Sequence, residues 1–197
     1  MNFPFASLGL LQHVRQQLSS GQAGSPLRVE IQLHFSEWPR TWHDAGEWLA
    51  GDVEGGFLRE VFSHFAYLTQ ELLGPLQVLN SRVTRAAGKG ETRVVADLRA
   101  GKVPVSLVGG VGGAVPDYNR WNLHCDSRSY GLEDWSKLLW SDGVNGWRPL
   151  KLDPGSAGQP GSQLDELALL LEGKASALPG LGAGLGVLQT LVALNSA

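Results

Sequence analysis

Cysteine is nearly absent from this chain of 197 residues: Cys125 stands alone. One thiol cannot make an internal disulfide framework or a cysteine-based zinc site, and no metal is expected. A lone thiol also fits a reducing compartment, so a cytoplasmic location is expected. Charge is scarce too: 18% of residues, with 16 Lys plus Arg against 19 Asp plus Glu, a net of -3. With no basic run to neutralise a phosphate backbone, nucleic acid is excluded as a partner class. Met1 to Phe5 lacks the basic region and apolar run of a secretory signal. Long apolar runs are missing as well. The uncharged tail from Ala175 to Ala197 is broken by Pro179 and by Gly180, Gly182, Gly184 and Gly186. Its dense part, Gly186 to Leu194, is shorter than the roughly 20 residues a bilayer requires, so no membrane partner is expected. It reads as a buried terminal helix.

What the chain does have is a 43% hydrophobic content, enough to bury a core, and an excess of glycine. There are 26 glycines, where average usage of about 7% predicts roughly 14, so many turns and close backbone approaches are expected. Apolar residues at helical spacing predict a helix over Ala6–Ser20. Leu27 to Phe35 alternates without a fault: Leu27, Val29, Ile31, Leu33 and Phe35 face one way, Arg28, Glu30, Gln32 and His34 the other. A polar loop containing Trp38, Trp42 and Trp48 follows. A helix with a broad apolar face is then predicted over Phe57–Leu73, stopped by Gly74-Pro75. Strands are predicted at Leu76–Arg85, Thr92–Arg99, Val103–Val108, Trp121–Cys125 and Trp147–Leu152. A linker at Asp153–Ser162 precedes helices at Gln163–Leu171 and near Leu185–Asn195. Strands that follow one another without helices favour antiparallel pairing. The expected fold is α+β: one open, largely antiparallel sheet with helices packed on one face.

Glu60 and His64, four apart on a helix, share a face that Tyr67 and Glu71 continue. A carboxylate beside an imidazole fixes its tautomer and raises its basicity, as a general base requires. From the spacing alone, a surface ion pair is the favoured reading over catalysis. His124-Cys125-Asp126 does not make a ligand cluster, because neighbouring strand residues point to opposite faces. His34 and His43 could meet near the tryptophan loop, though no spacing rule supports a site, and His13 reads as solvated. Gly109 to Gly113 lacks the Lys-Ser/Thr of a phosphate-binding loop and reads as a flexible turn. Gly180 to Gly186 is a weak match to a dinucleotide fingerprint, with no preceding strand. The serines offer no nucleophile elbow. The loop tryptophans suit flat sugar or nicotinamide-like rings, and equally a loop stapled to the core by its own aromatics.

The order of these pieces resembles the C-terminal domain of the Gfo/Idh/MocA family of NAD(P)-dependent oxidoreductases. The likeness rests on a helix ending in glycine, a strand like Leu27–Phe35, a loop, then Gly55-Gly56-x-x-x-Glu60-x-x-x-His64 running into a helix that closes Leu72-Leu73-Gly74. Leu164-Asp165 through Leu171-x-Gly173 looks like the closing region. The resemblance implies that residues 1–22 are a remnant of the last strand and helix of a Rossmann domain. Residues 23–197 would then be the C-terminal α+β substrate and oligomerisation domain. It also implies His64 as the catalytic histidine, with Glu60 in the place of the family's aspartate, and substrate contacts from Trp38, Arg40, Trp42, Trp48 and Tyr67. The implied substrate is a sugar, polyol or related alcohol, and the implied partners are a second copy of the chain and a separate Rossmann domain. NAD or NADP is the implied cofactor, but neither the Glu-Lys-Pro motif nor a dinucleotide fingerprint is present, so this chain alone is not expected to bind it. Phe3 and Phe5, without the sheet they would join, are expected to leave an apolar edge exposed. The alternative function is a non-catalytic binding or scaffold module derived from the same family.

Overall fold

A computed structural model describes residues 3–41, 46–152 and 162–196. One eight-stranded open sheet carries helices on one face, the α+β arrangement expected. The strands are β1 (Pro26–Phe35), β2 (Leu76–Arg85), β3 (Glu91–Ala100), β4 (Val103–Val111), β5 (Tyr118–Cys125), β6 (Ser129–Glu133), β7 (Lys137–Ser141) and β8 (Arg148–Pro149). Their spatial order is β2-β3-β4-β1-β5-β6-β7-β8. Every neighbouring pair is antiparallel except β1 and β4, which run parallel with Val29 opposite Val105.

The alternation of β1 becomes burial. Val29, Ile31, Leu33 and Phe35 are sealed beneath the helices, while Arg28 and Gln32 are exposed and Glu30 and His34 half-buried on the open face. At the start of the strand Leu27 remains 49% exposed. The helices are α1 (Gly9–Ser19), α2 (Ser63–Leu73), α3 (Ser162–Leu171) and α4 (Leu181–Ser196). Side-chain hydrogen bonds tie α2, α4 and the sheet together. The Trp121 indole N–H donates to the Thr69 hydroxyl at 2.9 Å, and Thr69 donates in turn to the Phe65 carbonyl at 2.7 Å. The Gln70 amide reaches the Thr190 hydroxyl of α4 at 3.0 Å, and Ser81 of β2 donates to the Leu194 carbonyl at 2.8 Å.

Several expectations need correction. Pro4–Ser7 is a short 3-10 turn rather than a strand, and Phe3 and Phe5 are 1% and 2% exposed within the main core. They leave no apolar edge, because the turn folds both rings under α2. Gly109, Gly110 and Val111 belong to β4, not to a flexible turn. The helix before Gly74 begins as a π-helical turn, Leu58–Phe62, in which the Ser63 N–H bonds the Leu58 carbonyl. Strands β6 and β7 were not expected, and of Trp147–Leu152 only Arg148–Pro149 pairs. His13 is not simply solvated: it packs edge-on to Tyr130 at 5.9 Å, and burial, with Arg128 nearby, lowers its pKa.

Candidate functional site

The sequence brings chemistry to the end of the sheet where β1 finishes. Gly56 has φ 90, and the space a side chain would need there is filled by the Glu91 carboxylate, so glycine is required where the chain turns into the π-helical segment. That segment delivers His64 at the start of α2. Its imidazole meets three aromatic rings edge-on: Phe3 at 5.9 Å and 85°, Phe5 at 6.0 Å and 67°, and Trp135 at 5.4 Å and 74°. Such edge-to-face pairs place ring hydrogens against π faces. Tyr67, one turn on and 3% exposed, stacks flat on Phe3 at 4.4 Å and 5°. Phe3 also lines an apolar cleft of about 260 Å³ with Pro179, Gly180, Leu181 and Leu185.

Burial pushes the His64 pKa down to about 4, offset in part by the backbone carbonyl of Glu60. The ring is therefore neutral at pH 7. Its Nδ1 is sealed from solvent, with no hydrogen-bond partner among the described residues. Burial pushes the Tyr67 hydroxyl up to about 12, with Glu71 adding to the effect and Arg15 opposing it, so the phenol stays protonated as a donor. Burial also raises the Glu60 pKa, against Arg59. Among the described residues the Glu60 carboxylate has no hydrogen-bond or ion-pair partner, His64 included. The π-helical turn accounts for this, since i to i+5 bonding alters the α-helical register that would align residues four apart.

The loop residues gather separately. The Trp38 indole N–H donates to the Leu49 carbonyl at 3.0 Å, and its ring stands edge-on to Phe35 at 4.9 Å. The peptide bond between Trp38 and Pro39 is cis. The Arg40 guanidinium lies over Phe35 at 4.9 Å and Trp38 at 5.5 Å, and its Nε donates to Asp117 at 2.9 Å. Asp117 also accepts from the Ser36 backbone and hydroxyl at 2.7 and 2.9 Å. Burial works to raise the Asp117 pKa, but the bonds from Ser36 and Arg40 outweigh it and hold the carboxyl below its ordinary value. Trp38 and Arg40 thus staple the loop to the core. Trp48 is 52% exposed, and Trp42 and His43 lie outside the described residues. No described contact joins this cluster to His64. The walls around His64 went unrecognised in the sequence, because Phe3, Phe5 and Trp135 come from distant segments with no motif linking them.

Neither glycine-rich stretch fits a dinucleotide. One closes β4 and passes to β5, and the other opens α4 with α3 before it, so neither sets amides at a strand-to-helix turn. Among the described residues no group of His, Cys, Asp and Glu could hold a metal ion, and no helix is long and apolar enough to cross a membrane.

The fold is one that solved oxidoreductases share. The WlbA dehydrogenase of Bordetella pertussis, determined with NADH and UDP-GlcNAcA, superposes with a TM-score of 0.72 at 18% identity, over 96% of this chain and 57% of that one. An oxidoreductase from Sinorhizobium meliloti matches with a TM-score of 0.72 at 12% identity, over 99% and 60%. Another from Agrobacterium radiobacter, determined with NAD+, L-tartaric acid and magnesium, matches at 0.65 and 17%, over 99% and 60%. The chain thus spans about three fifths of the solved chains it resembles. No family model and no curated protein matches it.

Proposed function

We propose that this chain is the substrate-binding and dimerisation domain of an NAD(P)-dependent oxidoreductase acting on a sugar, polyol or related alcohol. The observation that supports it best is His64: a neutral, largely buried imidazole walled by three aromatic rings, set in a fold shared with dehydrogenases. In this reading Nε2 accepts the proton of the substrate hydroxyl as the alcohol is oxidised, and Tyr67 helps to hold the aromatic wall beside it. The Glu60 carboxylate, one turn before the imidazole but not bonded to it, stands in the place of the family's aspartate. The open loop residue Trp48, with Trp42, offers flat faces to a sugar ring, while Trp38 and Arg40 fix the loop that carries them. A Rossmann domain would supply the dinucleotide site, which this chain's own glycines do not fit. A cytoplasmic setting suits the single buried thiol of Cys125, which burial, with Asp126, pushes up to about 11.

A second reading, a binding or scaffold module without catalysis, is favoured by one observation. A base with a pKa of about 4 is weak, and the Glu60 carboxylate that would strengthen it does not touch it. One experiment separates the two. The chain is mixed with a Rossmann domain from a related dehydrogenase, and NADH binding and turnover of a polyol panel are measured. NADH should bind only the mixture, and His64→Asn should lower turnover by about 10²–10⁴-fold with folding intact. Glu60→Gln should cost less. Turnover unchanged by His64→Asn would sink the catalytic reading.

A further inference from the structure

The turn between β6 and β7 holds a conformation its residues resist. Asp134 has φ 47 and Trp135 φ 69, the left-handed region that a bulky side chain rarely enters. A strained backbone persists where its surroundings over-determine it. Here they do so through Asn119 of β5, which is 4% exposed. Its carbonyl accepts the Asp134 N–H at 3.0 Å, and its side-chain oxygen accepts the Trp135 N–H at 3.1 Å. The outcome is an indole aimed across the sheet end at α2. Trp135 meets His64 at 5.4 Å, Phe5 at 5.8 Å and Phe65 at 5.9 Å.

We propose that Trp135 is a positioning residue for His64: clamped by Asn119, its indole closes the third aromatic wall that fixes the imidazole plane and keeps water from it. This deepens the reading of His64 as proton acceptor and rests on it for its purpose. Two walls, Phe3 and Phe5, come from the 3-10 turn and its edge, and without Trp135 the side facing β6 and β7 lies open. The wall decides two things a proton acceptor requires, orientation of Nε2 and a dry environment. Glycine would adopt the same backbone without strain, so the retained tryptophan side chain, rather than the turn, is what the strain secures.

The charged and titratable groups on the elements around His64 are Glu60 and Arg59 on its own segment, Tyr67 and Glu71 along α2, Asp134 beside the indole, and the paired Glu133 and Lys137 on either side of that turn. Phe3 and Phe5 add none. Substitutions at Trp135 and Asn119 leave all of these in place, so a change in His64 titration reports the wall itself.

The test follows the His64 ring by nuclear magnetic resonance as pH is varied, in the chain as it stands. In the unaltered protein the imidazole should hold one tautomer and titrate near its depressed value of about 4. Trp135→Gly, which removes the indole while easing the backbone, should raise the midpoint by about one pH unit toward the ordinary histidine value and mix the tautomers. Asn119→Ala, which removes the side-chain half of the clamp but keeps the backbone bond to Asp134 and the indole, should move it in the same direction by less. Trp135→Phe should restore most of the original titration. An unchanged midpoint and tautomer in folded Trp135→Gly would overturn the proposal, whatever the activity. A shifted midpoint in a protein that shows no turnover when mixed with a Rossmann domain would uphold the positioning role and remove only the catalytic reading.

Discussion

His64 links stability to pH. Its folded pKa, about 4, lies below the unfolded value of 6.5, so between these values the unfolded chain binds more protons. Stability from this group is therefore complete above pH 6.5 and is lost as pH falls toward 4. At about 1.36 kcal/mol per pH unit the loss reaches up to roughly 3 kcal/mol. Urea unfolding at pH 7 and at pH 4.5 should show a larger drop for the natural chain than for His64→Asn. Equal drops would mean that the ring is wetter than its aromatic surroundings imply. The second titrating member of the pair, Glu60, moves the opposite way: burial favours its protonated form. Two groups with pKa values displaced toward each other, close in sequence but without a shared hydrogen bond, make a site in which neither charged form is favoured.

At the level of elements, β4 shows what a glycine in a strand can be for. A side chain at Gly109 would stand 2.9 Å from the Phe57 ring and 2.9 Å from Val94, closer than such atoms pack. The glycine lets the π-helical segment lie directly on the sheet, and that segment carries the chain into His64. Gly109→Val should destabilise by about 1–3 kcal/mol, the range for overpacking a core, read as a lower urea midpoint. An unaffected midpoint would mean Phe57 has room to withdraw. In the sequence this glycine looked like part of a turn, since four of the five residues from Gly109 to Gly113 are glycine and offer no side-chain pattern. By contrast β1 was legible because faultless alternation has one reading, and α2 because a broad apolar face ends at Gly74. The hairpin of β6 and β7 hid itself for a physical reason. Its turn residues with positive φ are Asp134 and Trp135, not the Asn-Gly or Asp-Gly pair that signals a tight hairpin. His64 and Tyr67 could be picked out by spacing along one helix. Their walls could not, because periodicity within a segment carries no information about which distant ring will pack against it.

The molecule as a whole presents one covered face and one open face. On the open side Val95 and Val108, directly opposite each other on β3 and β4, are 39% and 52% exposed. Around them lie Arg28, Glu30 and Gln32, and a groove of about 500 Å³ runs past His34, Arg93 and Tyr118. A face of this kind suits a second copy of the chain better than an acidic or basic partner, and we expect a homodimer at micromolar concentration. Sedimentation velocity across that range should show it, with Val108→Glu shifting the population to monomer. A single monomeric species at all concentrations would contradict the expectation.

The parallel pairing of β1 with β4 also sets an order of events in time. β1 lies at the centre of the sheet, yet the strands on both sides of it, β4 and β5, come much later in the chain. A ribosome adds about 5–20 residues per second. The strand is thus finished several seconds before either neighbour exists, and Val29, Ile31, Leu33 and Phe35 must wait without a sheet. Meanwhile β2, β3 and β4 can pair through short turns as they emerge. The middle of the finished structure is the part made early and placed late, and until it is placed its apolar face is what a nascent-chain chaperone would meet.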